Sequence, residues 1–134
     1  MKCVILAAGY ATRLYPLTLN FPKALLRVGN KPIIGHIIDS LNLLEGIEDI
    51  YVVCNQKFFE NFLNWQKTTK SKINIEVIND GTSTNETRLG AIGDLDFVVK
   101  GKKILEDLLI VAGDNLFDFD LGAFLKFAKG DAFL

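Results

Sequence analysis

Residues 2–23, "KCVILAAGYATRLYPLTLNFPK", begin as a buried strand and run into a loop carrying Arg13, Lys23, two prolines and two threonines. Lys2 to Ala8 is a short, continuous apolar run, as expected of a strand covered on both faces. Gly9 then allows the backbone to approach a ligand closely, and the small residues Ala7, Ala8 and Ala11 keep side chains out of the way. A turn of this kind exposes backbone N–H groups that can bind phosphate.

The same kind of run recurs at Asp49 to Asn55, Ile73 to Asn79 and Leu108 to Gly113. Helical periods separate these strands. Pro32 suits a first helical turn, and Ile33, Ile34, Ile37, Ile38, Leu41 and Leu44 repeat at helical spacing until Gly46. Phe58, Phe59, Phe62 and Leu63 form a second stripe, ended by the polar stretch Thr68 to Lys72. A third helix is expected to start near Thr84 or Asn85, where Ser83 and Glu86 have the spacing of a capping box, with Leu89, Ile92 and Leu95 on one face. Asp120 caps a fourth, whose apolar side is Leu121, Phe124, Leu125 and Ala128. The order βαβαβαβα predicts an α/β fold: a Rossmann-like open, mostly parallel sheet with helices on both faces. The closing "DAFL" reads as a strand only begun, so the chain is expected to be a fragment whose sheet is incomplete.

Composition narrows the partners. The 134 residues are 49% hydrophobic, enough for one core, and 15 basic residues balance 16 acidic ones. Such neutrality leaves no electrostatic footprint for nucleic acid or an anionic membrane, so any phosphate recognition must be local. No apolar run reaches spanning length and no cleavage site follows Lys2, so a cytoplasmic protein is expected. Cys3 and Cys54 sit in strand-like runs and read as small buried hydrophobes. His36 and Trp65 read as helix residues, and Lys100, Lys102 and Lys103 as a solvated turn.

In open α/β sheets ligands lie beyond the carboxyl ends of the strands. There the chain places the long first loop, the polar stretch "NDGTSTNETR" at 79–88, and "GDN" at 113–115. A Walker loop needs a Lys followed by Ser or Thr after a second glycine, and a dinucleotide fingerprint needs three glycines; neither follows Gly9. What remains is a loop that supplies its own Arg and, ten residues on, a Lys.

Here the sequence resembles the sugar-phosphate nucleotidyltransferases, whose pattern is G-x-G-T-R-[LM]-x-P-[LW]-T, then P-K-x-[LM], then K-P before the first helix. Gly9, Thr12, Arg13, Leu14, Pro16, Leu17, Thr18, Pro22, Lys23, Lys31 and Pro32 fall in register. "IVAGDN" resembles the second motif of that family, an apolar strand ending in G-D. The likeness spans this chain but only about the N-terminal half of such an enzyme. It implies a nucleotide-diphospho-sugar transferase fold in which residues 1–134 form the nucleotide-binding part and the C-terminal sugar-binding half is absent.

The resemblance also implies roles. Arg13 would bind the triphosphate and Lys23 the phosphates at the reacting centre. Leu6, Ala7, Ala8 and Gly9 would pass along base and ribose, with Tyr10, Ala11 and Thr12 completing the first loop. Asn79, Gly81 and Asn85 would contact base and phosphate, and a helix start near Asn85 would point into the cleft. Asp114 would be the first of two carboxylates holding a divalent cation, Mg2+. The implied reaction joins a nucleoside triphosphate and a sugar phosphate, or a similar phosphorylated alcohol, and releases pyrophosphate.

Two departures stand out: Ala11 replaces the second glycine of the signature, and the third loop lacks the usual Gln-Pro motif, which leaves the base open. The alternative is a nucleotide-binding or regulatory module without catalysis. Such a module would assemble through its exposed sheet edge, and a homo-oligomer is compatible with either reading.

Overall fold

The computed structural model describes residues 1–128. Its elements are β1 (Lys2–Leu6), β2 (Arg27–Val28), β3 (Lys31–Pro32), α1 (Ile33–Asn42), β4 (Asp49–Cys54), α2 (Phe59–Thr68), β5 (Asn74–Asn79), α3 (Gly90–Lys102), β6 (Leu108–Ala112) and α4 (Leu121–Ala128). The expected strand in "DAFL" lies outside the described residues.

β1, β4, β5 and β6 form one parallel sheet in the order β5-β4-β1-β6. The chain steps from β1 outward through β4 to β5, then returns to the other side of β1 with β6. The strand order therefore reverses between β1 and β6, the switch point where open α/β sheets leave a crevice at their carboxyl ends.

The alternation of side chains along each strand splits the core. Cys3 and Ile5 of β1 join Ile50 and Val52 of β4, and against them pack Ile34, Ile37, Ile38 and Leu41 of α1 and Phe62 and Trp65 of α2. On the opposite face Val4, Tyr51 and Val53 meet Val98 of α3. Both faces are thus covered, as an all-parallel sheet requires. Cys3 and Cys54 are free and buried, and burial pushes both thiols up to about 12.

Several local expectations change. The run into the first loop leaves the sheet at Leu6, although Ala7 still donates its N–H to the Val53 carbonyl at 2.9 Å. Pro32 ends the short hairpin β2-β3 and precedes α1, because it has extended backbone geometry (φ −60°, ψ 156°). His36 Nε2 lies 2.7 Å from the Val28 carbonyl oxygen and ties α1 to that hairpin, a structural role. Trp65 belongs to the core. Asp120 does cap α4, accepting the N–H groups of Gly122 and Ala123 at 2.8 and 3.2 Å.

The third helix differs most. A capping box does form, but between Thr84 and Thr87, and it closes a single 3-10 turn over Asn85–Thr87. Arg88 is then extended, and Gly90 at φ +77° starts α3 on a new axis. This break rotates the helix from the face expected of its sequence. Leu89 and Ile92 point to solvent, while Asp94 and Val98 are buried.

Candidate functional site

Two adjoining cavities open at the switch point. One, of about 350 Å³, lies over the end of β1 and is walled by Ala7, Ala8 and Gly9 on one side and by Gly90, Ala91 and Asp94 of α3 on the other. The second, of about 470 Å³, is bounded by the first loop from Gly9 to Leu14 and by Asn85. Gly9, Ala11, Lys23, Arg88 and Asp114 line both. The result is one cleft: a neck of small residues that opens into a charged basin.

The sequence dictates this shape locally. Asn55, fully buried at the end of β4, donates from Nδ2 to the Ala8 carbonyl at 2.9 Å and accepts the Phe58 N–H at 3.0 Å. One side chain thus pins the first loop to the start of the α2 segment. Thr18 Oγ1 donates to the Ala11 carbonyl at 2.7 Å and folds the loop back on itself. Ala11 takes the left-handed conformation (φ 49°, ψ 47°), which costs an L-residue roughly 1–2 kcal/mol. The signature's second glycine falls at this position, so its replacement by Ala11 has a physical expression: backbone strain at the bend that presents Thr12 and Arg13. Gly113 donates to the Leu6 carbonyl at 2.8 Å, and a Cβ there would lie 3.0 Å from that same oxygen. Only a glycine lets β6 deliver Asp114 so close to the end of β1.

In the basin Arg13 is exposed and makes no hydrogen bond or ion pair among the described residues. Lys23 Nζ stands 3.4 Å from Asp114 Oδ2, longer than a good hydrogen bond between such groups. Arg88 spans from the opposite wall and donates to the Asn85 carbonyl at 2.6 Å. Three cations and one half-exposed carboxylate therefore face a common space. At the neck, burial and then the neighbouring Asp80 push the Asp94 carboxyl up to about 7. Tyr10 is buried and donates its hydroxyl to the Thr82 carbonyl at 3.2 Å; burial raises its pKa.

Of the residues singled out from sequence, the cleft brings together Leu6, Ala7, Ala8, Gly9, Tyr10, Ala11, Thr12, Arg13, Lys23, Asn85 and Asp114. Asn79 and Gly81 line neither cavity. Asn79 instead donates to Gln56 Oε1 and accepts the Gly81 N–H at 2.8 Å, which shapes the loop behind the wall. Sequence reading does not single out Arg88, Gly90 or Asp94, because the expected helix start near Asn85 put them on a helix body. The positive φ of Gly90 moves them to the wall. The one available signal was a glycine following an arginine inside a helical period.

No group of three His, Cys, Asp or Glu residues able to hold a metal exists among the described residues. Asp114 is the half-exposed carboxylate of the cleft that could hold a divalent cation together with phosphate oxygens and water. No helix among the described residues is long and apolar enough to cross a membrane.

Comparison with known proteins gives this geometry its context. The chain is 34% identical over 134 residues to mannose-1-phosphate guanylyltransferase 1 of Arabidopsis thaliana, covering 96% of this chain and 35% of the relative. It is 35% identical over 130 residues to the bifunctional protein GlmU of Methanococcus vannielii, covering 95% and 28%. The CTP:phosphocholine cytidylyltransferase of Streptococcus pneumoniae superposes with a TM-score of 0.67 at 29% identity, over 90% of this chain and 47% of that one. A UDP-glucose pyrophosphorylase shares the fold at a TM-score of 0.69 and 18% identity, over 96% and 53%. The chain thus spans about a third of the length of these curated relatives. The model of the nucleotidyl transferase family matches residues 2–133, nearly the whole sequence, and the chain belongs to that family.

Proposed function

We propose that residues 1–134 are the nucleotide-binding part of an enzyme that transfers a nucleoside monophosphate from a nucleoside triphosphate to a sugar 1-phosphate or similar phosphorylated alcohol, releasing pyrophosphate. The observation that carries this reading is the convergence of Arg13, Lys23 and Arg88 on one basin next to Asp114, at the end of a neck lined by small residues.

The neck suits a flat base and ribose, since the backbone of Leu6 to Gly9 is reachable where side chains are small. The basin suits the triphosphate. In the reaction a phosphate oxygen of the acceptor attacks the α-phosphorus, and the bond to the bridging oxygen of pyrophosphate breaks. The nucleophile is already an anion, so no base is needed to create it, in keeping with a structural role for His36. The requirements are in-line alignment and relief of repulsion between two anions. Arg13 can hold two phosphate oxygens in a planar fork, and Lys23 offers a compact charge that can leave Asp114 and follow the phosphates. Magnesium, when bound, would neutralise phosphate charge, and Asp114 is the residue that would hold it. The reading includes a cytoplasmic setting and is compatible with a homo-oligomer.

A thermal-shift panel of the nucleoside triphosphates, with and without magnesium, tests the reading. GTP and CTP come first, since the relatives are named guanylyl- and cytidylyltransferases. At a ligand concentration 100 times Kd, stabilisation of about 2.7 kcal/mol is expected. No shift with any nucleotide overturns the reading. Pyrophosphate release on addition of a sugar 1-phosphate, assayed with a protein that joins these residues to a sugar-binding half, separates transfer from the binding-module alternative, which predicts binding without release there.

A further inference from the structure

Asp80 and Asp94 are buried carboxyls, 8% and 6% exposed, from two different elements: the loop after β5 and the second turn of α3. Asp80 Oδ1 accepts the Thr82 N–H and the Thr82 hydroxyl, both at 2.8 Å. Asp80 Oδ2 and Asp94 Oδ1 are the two buried side-chain oxygens among the described residues that lack a donor. Two ionised carboxylates have only acceptors, so in a dry site they repel and leave both oxygens unsatisfied. A single proton changes that: Asp94 becomes the donor, Asp80 the ionised acceptor, and both orphan oxygens are used in one short charge-assisted bond.

We propose that Asp80 and Asp94 share one proton, and that this bond is a positioning latch holding the 80–88 loop, with Arg88 at its end, against α3 as the wall of the nucleotide cleft. The inference rests on the nucleotide-binding reading for its consequence, though not for the bond itself. The latch lies where it can matter. Asp94 lines the neck directly, two residues of the same helix from Ile92 and one turn from Gly90. The loop it holds is already tied at its near end, by the Asp80 N–H to the Cys54 carbonyl and the Gln56 N–H to the Thr82 carbonyl, both at 2.8 Å. Beyond Thr82 the loop is exposed as far as Arg88, apart from half-buried Asn85, so its far end depends on how its base is seated on α3.

The groups facing the pair are Tyr10 from the first loop and Cys54 from β4, both protonated at neutral pH because burial raises their pKa values. Lys23, Arg88 and Asp114 share the cavity wall with Asp94, but burial and Asp80 are what hold its proton on. The sign follows. An unfolded chain releases this proton near the ordinary aspartate value, whereas the folded chain keeps it until about 7. Stability from the latch is complete in acid, declines as pH rises through that interval and is gone above the folded value. Loss of the proton also places a second negative charge beside a cleft for a triphosphate.

The test uses the full chain and two isosteric variants. In wild type, carboxyl-carbon NMR should show one aspartate titrating near neutrality, and the melting temperature should fall from about pH 5 to about pH 8, most of the fall lying below about pH 7. Asp94→Asn keeps an N–H donor toward Asp80 at every pH, so that titration and most of the fall should vanish, and magnesium-nucleotide affinity should lose several-fold less than wild type over the same range. Asp80→Asn should return the Asp94 midpoint toward the ordinary carboxylate range. A wild type with no aspartate titrating above pH 5 overturns the proposal, as does an Asp94→Asn protein, or an Asp80→Asn protein should the first not fold, with wild-type pH profiles. The NMR and melting readouts need no nucleotide, so a protein that shows the titration yet binds no nucleotide refutes the functional reading and leaves the latch standing.

Discussion

The two ends of the parallel sheet carry similar residues in opposite states. At the amino end Lys2 Nζ lies 2.5 Å from Asp49 and 2.8 Å from Glu48, while the amino terminus donates to the Gly46 carbonyl at 3.0 Å and pairs with Glu106 at 3.1 Å. Asn74 completes that set by donating to Asp49 at 3.0 Å. Its hydrogen bonds to Asp49 and Glu48 hold the Lys2 ammonium well above its ordinary pKa. At the carboxyl end Arg13 has no protein partner among the described residues and Lys23 reaches Asp114 only at 3.4 Å. One end closes its charges on itself. The other keeps them available, which is the electrostatic condition for binding an anion from solution.

The comparison can be broken most sharply at Arg13. In the proposed enzyme, Arg13→Ala is expected to lower turnover by roughly 10²-fold or more, the scale of losing one preorganised donor, in an assay of pyrophosphate release, and in residues 1–134 to remove most of the nucleotide-induced thermal shift. Melting temperature should hardly change, since the side chain supports nothing in the fold; wild-type turnover would remove Arg13 from the phosphate site.

Asn55→Ala tests the support beneath the cleft. It strands the Ala8 carbonyl and the Phe58 N–H in a buried setting and should cost about 2 kcal/mol or more in chemical denaturation, together with nucleotide affinity. Full stability would mean that the first loop is held by other contacts. Ala11→Gly works in the opposite direction. Relief of the left-handed strain, less the entropy that glycine adds to the unfolded chain, should stabilise the protein by at most about 1 kcal/mol. A destabilised variant would show that the methyl group contributes packing that outweighs the strain.

The smallest effect is expected at the closed end. Lys2→Met should leave the nucleotide-induced thermal shift unchanged, because Lys2 lies at the amino end of β1, the opposite end of the strand from the cleft. A change in nucleotide affinity comparable to that of Arg13→Ala would erase the distinction between the two ends.

The architecture was legible because its signals are local and periodic. Four short apolar runs alternating with helical stripes leave few topologies open, and the first loop carries its cations at fixed spacing after a strand. Arg13, Lys23 and Asp114 could therefore be singled out from sequence as neighbours of the strand ends. The wall opposite them could not. Leu89, Ile92 and Leu95 have helical spacing in the sequence, but spacing gives no azimuth: Leu95 does pack against the core, whereas Leu89 and Ile92 face solvent and Asp94 is buried after the positive φ of Gly90. Likewise the hairpin β2-β3 is only two residues a side, too short for alternation to register.

By itself the sequence determined the parallel α/β core, the long cation-bearing first loop and the position of Asp114 past its strand, since each follows from hydrophobic pattern or from residues adjacent in the chain. Only the tertiary structure decided that Arg88 and Arg13 line one cavity, that Asn55 carries the Ala8 carbonyl, and that Asp80 and Asp94 are both buried. Those depend on which elements pack together and at what rotation, and a buried polar pair is defined by the distance between groups far apart in sequence.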